Sequence, residues 1–194
     1  MKKNYRELIK ELSDKELLQS LYVTQVLLLS VAAVLGAIFF EDVSTFIQLF
    51  NWQDSNILFI GGVWGIAVVG LDLLFDKILP PHLSDDGGVN ERIFQNRSII
   101  QIGFIACGIA FSEEILFRGI LQTNFGLIVS SSLFAIIHFR YLFNWFLFLN
   151  ITVLSFFIGY LYDMTENLSV TIFMHFLIDF LLGVIIRIKY KKLH

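Results

Sequence analysis

An all-α bundle of about six membrane-spanning helices is the fold that this sequence predicts, and three features predict it. Hydrophobic residues make up 56% of the 194 positions and charged residues only 16%, against about 25% charged in an ordinary soluble domain. Mean hydropathy is +0.73. The apolar residues, with 21 Phe and only two Pro in the chain, gather into six runs. Each is long enough, or nearly so, to cross a hydrocarbon core of about 30 Å at about 1.5 Å per residue. The length suits one membrane domain and leaves no room for a separate soluble one.

The chain opens on a charged arm, residues 1–16, where Leu8, Ile9 and Leu12 recur at helical spacing. It reads either as a short amphipathic helix on the membrane surface or as a solvated arm. The first apolar run, 17–40, is long enough to span and stay. The polar stretch before it is too long for a cleavable signal peptide. The second run, 57–74, contains GGVWG, with Gly61 and Gly65 four apart, a spacing that lets helix backbones approach closely in lipid. The third, 98–123, is followed by 126–139, which is short for a full crossing, and then by 145–162 and 168–188. Breaker-rich segments separate them: NWQDSN at 51–56, LPPHLSDDGGVN at 79–90 and DMTENLS at 163–169,. The expected organisation is therefore an arm (1–16), two N-terminal helices with a basic loop (17–97), a functional core (98–188) and a basic tail (189–194). A single cysteine, Cys107, excludes an intrachain disulfide and a cysteine metal cluster; beside Gly108 it reads as a packing residue.

Orientation follows from Lys and Arg in the short loops. The arm carries Lys2, Lys3, Arg6, Lys10 and Lys15, and the 41–56 loop carries none. The 75–97 loop has Lys77, Arg92 and Arg97, and the fourth turn has Arg140. The 163–169 loop has none, and the tail has Arg187, Lys189, Lys191 and Lys192. Basic and non-basic sides alternate, so both termini are expected in the cytoplasm. Arg118, near a non-basic turn, is explained by ion pairing.

Ionisable residues inside apolar runs rarely face lipid. Asp72, Glu113, Glu114, Arg118, His138, His175 and Asp179 are such residues. Asp72 lies near the basic loop, within reach of water or Lys77, and reads as structural. The others converge in depth. At about 1.5 Å per residue, Glu113 lies about 15 Å below the turn at Thr123 and His138 about 20 Å beyond it. His175 lies about 12 Å and Asp179 about 18 Å inward from Asn167. Glu114 and Arg118, four apart in the favourable order, form one ion pair, while Glu113 points about 100° away on the same turn. His175 and Asp179, also four apart, can share a hydrogen bond that orients the imidazole. A carboxylate beside two histidines can deprotonate a water as general base, or the three can ligate zinc with one position left for that water. A polar network that only locks helices together, or a proton-coupled relay, uses the same residue types. Matching broken half-helices, the sign of a carrier, are missing from the sequence.

The motifs EEILFRG (Glu113, Glu114, Arg118, Gly119), FAIIH (Phe134, His138) and HFLID (His175, Asp179) resemble the CAAX-protease and bacteriocin-processing family, also called CPBP or Abi. Its pattern is EExxxR, FxxxH and HxxxN or HxxxD on successive transmembrane helices, and the match covers about residues 98–186. The resemblance implies an intramembrane endopeptidase with Glu113 as the base, His138 assisting it, His175 and residue 179 holding the oxyanion, and Glu114 and Arg118 supporting the site. A metalloprotease version would bind Zn2+ through Glu113, His138 and His175; no cofactor is otherwise implied. Asp179 departs from the Asn of the best-known prenyl proteases, and a carboxylate cannot donate a hydrogen bond unless protonated. It would instead orient His175, leave stabilisation to a protonated His175, or favour a metal. The expected partners are a peptide or membrane-protein substrate and the lipid bilayer, with no nucleic acid, in a multi-pass protein of a bacterial cell membrane. A non-proteolytic scaffold or bacteriocin self-immunity protein of the same fold is the alternative.

Overall fold

The computed structural model describes residues 11–138, 141 and 144–193. Most of the charged arm, with Leu8 and Ile9, and Arg140 of the fourth turn lie outside the described residues. The chain is helical, with no strand among the described residues: α1 (Asp14–Phe39), α2 (Val43–Ile47), α3 (Ile57–Ile78), α4 (Pro81–Ser84), α5 (Val89–Phe94), α6 (Ile99–Glu114), a π-helical stretch (Ile115–Gln122), α7 (Thr123–Ile137), α8 (Trp145–Thr165) and α9 (Leu168–Leu193).

Local sequence sets the starts. Ser13 caps α1 and Ser98 caps α6, each in a reciprocal box with the third helical residue, Glu16 and Gln101, which satisfies backbone donors that a helix start leaves unpaired. Five stretches are long and apolar enough to cross a bilayer, and the longest is the 39-residue Ile99–Ile137. That stretch is a hairpin, not one rod. Residues 117 and 134 would stand about 26 Å apart on a continuous helix, yet the Phe117 and Phe134 rings meet at 4.9 Å, and the Ser130 hydroxyl donates to the Phe117 carbonyl at 2.5 Å. Gly126, at φ 81° and ψ 169°, supplies a backbone conformation that L side chains rarely adopt. With α7 as the short return arm, six helices run between two faces, as the hydropathy pattern predicts.

The two ends of the described chain share one face. There Arg92 pairs with Asp14 at 2.8 Å and Lys189 with Asp76 at 2.7 Å, and the Asn144 amide donates to the Leu83 carbonyl at 2.9 Å. Lys189, rather than Lys77, is thus the paired cation near the end of α3, and the basic tail from residue 189 continues α9 as helix through Leu193. At the opposite face the tight α8–α9 reversal is bracketed by Asn167. Its amide donates to the Asn51 carbonyl (2.9 Å) and to Asp54 Oδ2 (3.1 Å), and its oxygen accepts from the backbone N–H groups of Asn51 and Ser169, both at 3.0 Å.

Helix α9 is the centre of the bundle and α1 its margin: their most apolar windows are 44% and 11% buried. The Gly61 and Gly65 spacing does what it predicts. A Cβ on Gly61 would lie 2.7 Å from the Val170 carbonyl oxygen, and one on Gly65 would meet Leu177 and the Met174 carbonyl at 3.2 and 3.3 Å. These two glycines let α3 lie directly on α9. Cys107 is half-buried.

Candidate active site

Asn167 fixes where α9 begins, and two turns further on His175 faces the last turn of α6. The His175 Nδ1–H donates to Glu114 Oε1 at 2.9 Å. On the other edge of the ring, Nε2 stands 3.6 Å from Asp179 Oδ2 and 4.0 Å from Glu113 Oε2. Three carboxylates from two helices thus surround one imidazole. Glu114 is wholly buried, Glu113 and His175 are 7% and 8% exposed, and the Asp179 side chain is the most open at 25%. The ring orienter differs from the one that spacing suggests. Glu114 makes the short bond to His175, whereas Asp179 stands beside Nε2 at ion-pair rather than hydrogen-bond distance.

Arg118 lies under this cluster, wholly buried. Its Nε is 3.5 Å from Glu114 Oε2, and one terminal nitrogen donates to the Ser155 carbonyl and hydroxyl at 3.1 and 3.2 Å. The guanidinium also sits over the Phe134 ring, 5.2 Å from its centroid. A buried carboxylate is tolerable only with such a partner. The π-helical stretch begins immediately after Glu114; wide turns of this kind are frequent at functional sites. The Arg118 carbonyl accepts both the backbone N–H and, at 3.1 Å, the hydroxyl of Thr123, where the stretch ends.

His138 ends α7, with its Nδ1 2.8 Å from the Phe134 carbonyl and its ring 4.5 Å from the Phe134 ring. Phe134 in turn lies 6.5 Å from the His175 ring. The two imidazoles therefore flank one phenyl ring, at most about 11 Å apart. Of the residues singled out by motif, Glu113, Glu114, Arg118, His175 and Asp179 form one contiguous cluster, and His138 joins it through Phe134.

Known proteins now bear on this geometry. The family model for the type II CAAX prenyl endopeptidase Rce1-like group matches residues 95–181, which contain every residue of the cluster. The uncharacterized protein YpbD of Bacillus subtilis (strain 168) is 44% identical over 170 residues, covering 88% of this chain and 90% of its own. The chain belongs to the Rce1-like family. No solved structure gives a significant match. The resemblance carried by EEILFRG, FAIIH and HFLID is thereby shown at family level, and the family supports an intramembrane endopeptidase.

Several residues of this Rce1-like site are not among those the motifs pick out. Ser155 and Gly159 on α8 face the hairpin: Ser155 receives Arg118, and the Gly159 carbonyl accepts from the Gln122 amide at 2.7 Å. The same amide reaches Asp163 at 2.6 Å. Ser112, next to Glu113, donates to Gln25, which is buried on α1 along with Leu17 and Ala32. The signal for Gln25 was in the sequence, as an amide inside an apolar run.

A zinc ion would need Glu113, His138 and His175 together. Among the described residues no group of three His, Cys, Asp or Glu side chains is arranged to hold a metal ion. The His175 Nδ1 is also engaged by Glu114, so only Nε2 of that ring faces Glu113.

Proposed function

We propose that this chain hydrolyses peptide bonds within the membrane, with Glu113 as general base for the attacking water. The observation that supports this reading most is the convergence of Glu113, Glu114 and Asp179 on the His175 ring, deep among helices and anchored by Arg118. A water proton passes to Glu113 as the water oxygen bonds to the scissile carbonyl carbon. That proton then goes to the amide nitrogen as the C–N bond breaks. His138, on the other side of Phe134, assists in holding the water. His175, with Nδ1–H tied to Glu114, donates from a protonated Nε2 to the developing oxyanion. Asp179, beside Nε2 at 3.6 Å, offsets the charge of that ring. Glu114 and Arg118 hold the scaffold of the site.

The substrate class is a peptide or a membrane-protein segment reaching the site from the bilayer. Both termini are assigned to the cytoplasm, because the face shared by the ends of the described chain carries Arg92, Arg97, Arg187, Lys189, Lys191 and Lys192, as the bias of basic loops requires,. The protein is a multi-pass resident of a bacterial cell membrane.

The test is cleavage of a peptide library by the purified chain in proteoliposomes. Glu113→Gln should lower the rate at least about 100-fold, the scale of a lost general base, with an unchanged melting temperature. Full activity in that variant would overturn the mechanism. If the Glu113/His138 double variant still complemented a deletion strain, the scaffold or immunity reading would replace it.

A further inference from the structure

At the face where both ends of the described chain meet, the start of α6 and the last turns of α9 line an open cavity of about 540 Å³. Three cations line it, Arg97, Arg187 and Lys191, together with Ser98, Gln101 and Tyr190, and no carboxylate does. Arg97 is held in place by its Nε–H, which donates to the Ile93 carbonyl at 3.2 Å. Two neighbouring cations on this face are neutralised, Arg92 by Asp14 and Lys189 by Asp76. Among the described residues none of the ion pairs includes Arg97, Arg187 or Lys191.

Helix stability accounts for Lys191, in the last turn of α9, but not for Arg187,. Arg187 and Lys191 are four apart on α9, where like charges repel. Arg187 also lies well over one turn before the helix end at Leu193, outside the last turn, where a cation offsets the helix dipole. A cavity with three convergent cations and hydroxyl and amide groups beside them fits a phosphate oxyanion. The surface next to it is apolar. Ile99, Ile100 and Phe104 on α6 are 48, 73 and 74% exposed, and Ile188 on α9 is 46% exposed. A basic notch above an exposed apolar wall matches an amphiphile with an anionic head and acyl tails.

We propose that this cavity binds a phosphate-bearing anion, and that in the membrane its occupant is the headgroup of an anionic phospholipid. The site is independent of peptide hydrolysis and lies on different residues.

The full chain would be placed in nanodiscs of phosphatidylcholine with a minor fraction of phosphatidylglycerol, and the lipids retained on extraction counted by native mass spectrometry. Arg97→Gln and Arg187→Gln should each reduce retained phosphatidylglycerol about tenfold, the scale of a lost charge-assisted hydrogen bond. Lys192→Gln, an equal charge change on the same helix outside the cavity, should reduce it less than about threefold. Arg187→Lys should keep most of it and serves as the folding control, with melting temperatures measured for all variants. Equal retention in every variant, with no phosphate binding that depends on Arg187, would overturn the site. An equal loss in Lys192→Gln would overturn it too, in favour of general surface charge. A calorimetric arm with inorganic phosphate in zwitterionic detergent separates the sources. Phosphate binding that depends on Arg187, without any lipid preference, would uphold the oxyanion site and overturn the lipid occupant.

Discussion

Replacing Arg118 with Met would strand the Glu114 carboxylate, wholly buried and 3.5 Å from the guanidinium it now faces. Two unit charges at that distance attract by about 5 kcal/mol at an effective dielectric constant of about 20. Removing one partner of a buried pair costs about 3–5 kcal/mol. Two structural details pull within that range. The His175 Nδ1–H stays bonded to Glu114 and softens the loss, while the Ser155 contacts and the packing over Phe134 vanish with the guanidinium and deepen it. The double variant Glu114→Gln/Arg118→Met tests the cause. Glutamine carries no charge yet keeps an acceptor oxygen for His175, so the pair should recover at least about 2 kcal/mol of the single-variant loss. Equilibrium unfolding in micelles of wild type, both single variants and the double closes the thermodynamic cycle. A coupling energy below about 0.5 kcal/mol, the scatter expected of independent sites, would refute the claim that this pair anchors the site.

Other outcomes follow from the same structure. Gly61→Ala should destabilise the fold by about 1–3 kcal/mol, the usual cost of overpacking, because the new methyl meets a backbone oxygen at 2.7 Å; Gly70→Ala, which meets nothing within 4 Å, should not. The Asp54 carboxylate is held below its ordinary value of 3.8 by the Asn56 N–H and the Asn167 amide. A lowered native value means that its contribution is complete above about that pH and is lost as pH falls through the lower one. Acidification below about pH 4 should therefore loosen the Asn51–Asn167 bracket and change the fluorescence of Trp52, which stacks on Phe111 at 6.0 Å; Asp54→Asn should remove that dependence. Under the proposed mechanism, chelation during the proteoliposome assay should leave the cleavage rate unchanged, whereas loss of activity restored by zinc would replace Glu113 base catalysis with a metal-centred reaction.

Much of the bundle was legible because lipid allows so few solutions: apolar runs must be helices, and buried charges must find partners. The Glu114–Arg118 pair and the convergence of Glu113 with His175 and Asp179 follow from helical spacing and depth alone. What escaped depends on contacts between distant segments. Nothing local marks residues 115–122 as π-helical; the stretch is met across the bundle by α8, where Tyr162 bonds the Thr123 hydroxyl at 2.8 Å and Ser155 receives Arg118. The primacy of Glu114 over Asp179 as the partner of His175 needs the relative rotation of α6 and α9, which close packing between helices sets. Ser155 was invisible for a similar reason: a serine in an apolar helix is unremarkable until an arginine reaches it.

The doubling back at Gly126 bears on how chains of this family can differ in length. Glu113 and His138 ride on opposite arms of one hairpin, so their facing depends on the number of residues in each arm. One inserted residue swings everything beyond it by about 100° and carries an acid or an imidazole out of register. The connection at 79–98 has no such gearing, because α6 is re-indexed by its own Ser98 cap. Insertions and deletions should therefore collect between residues 79 and 98 and be purged between 113 and 138.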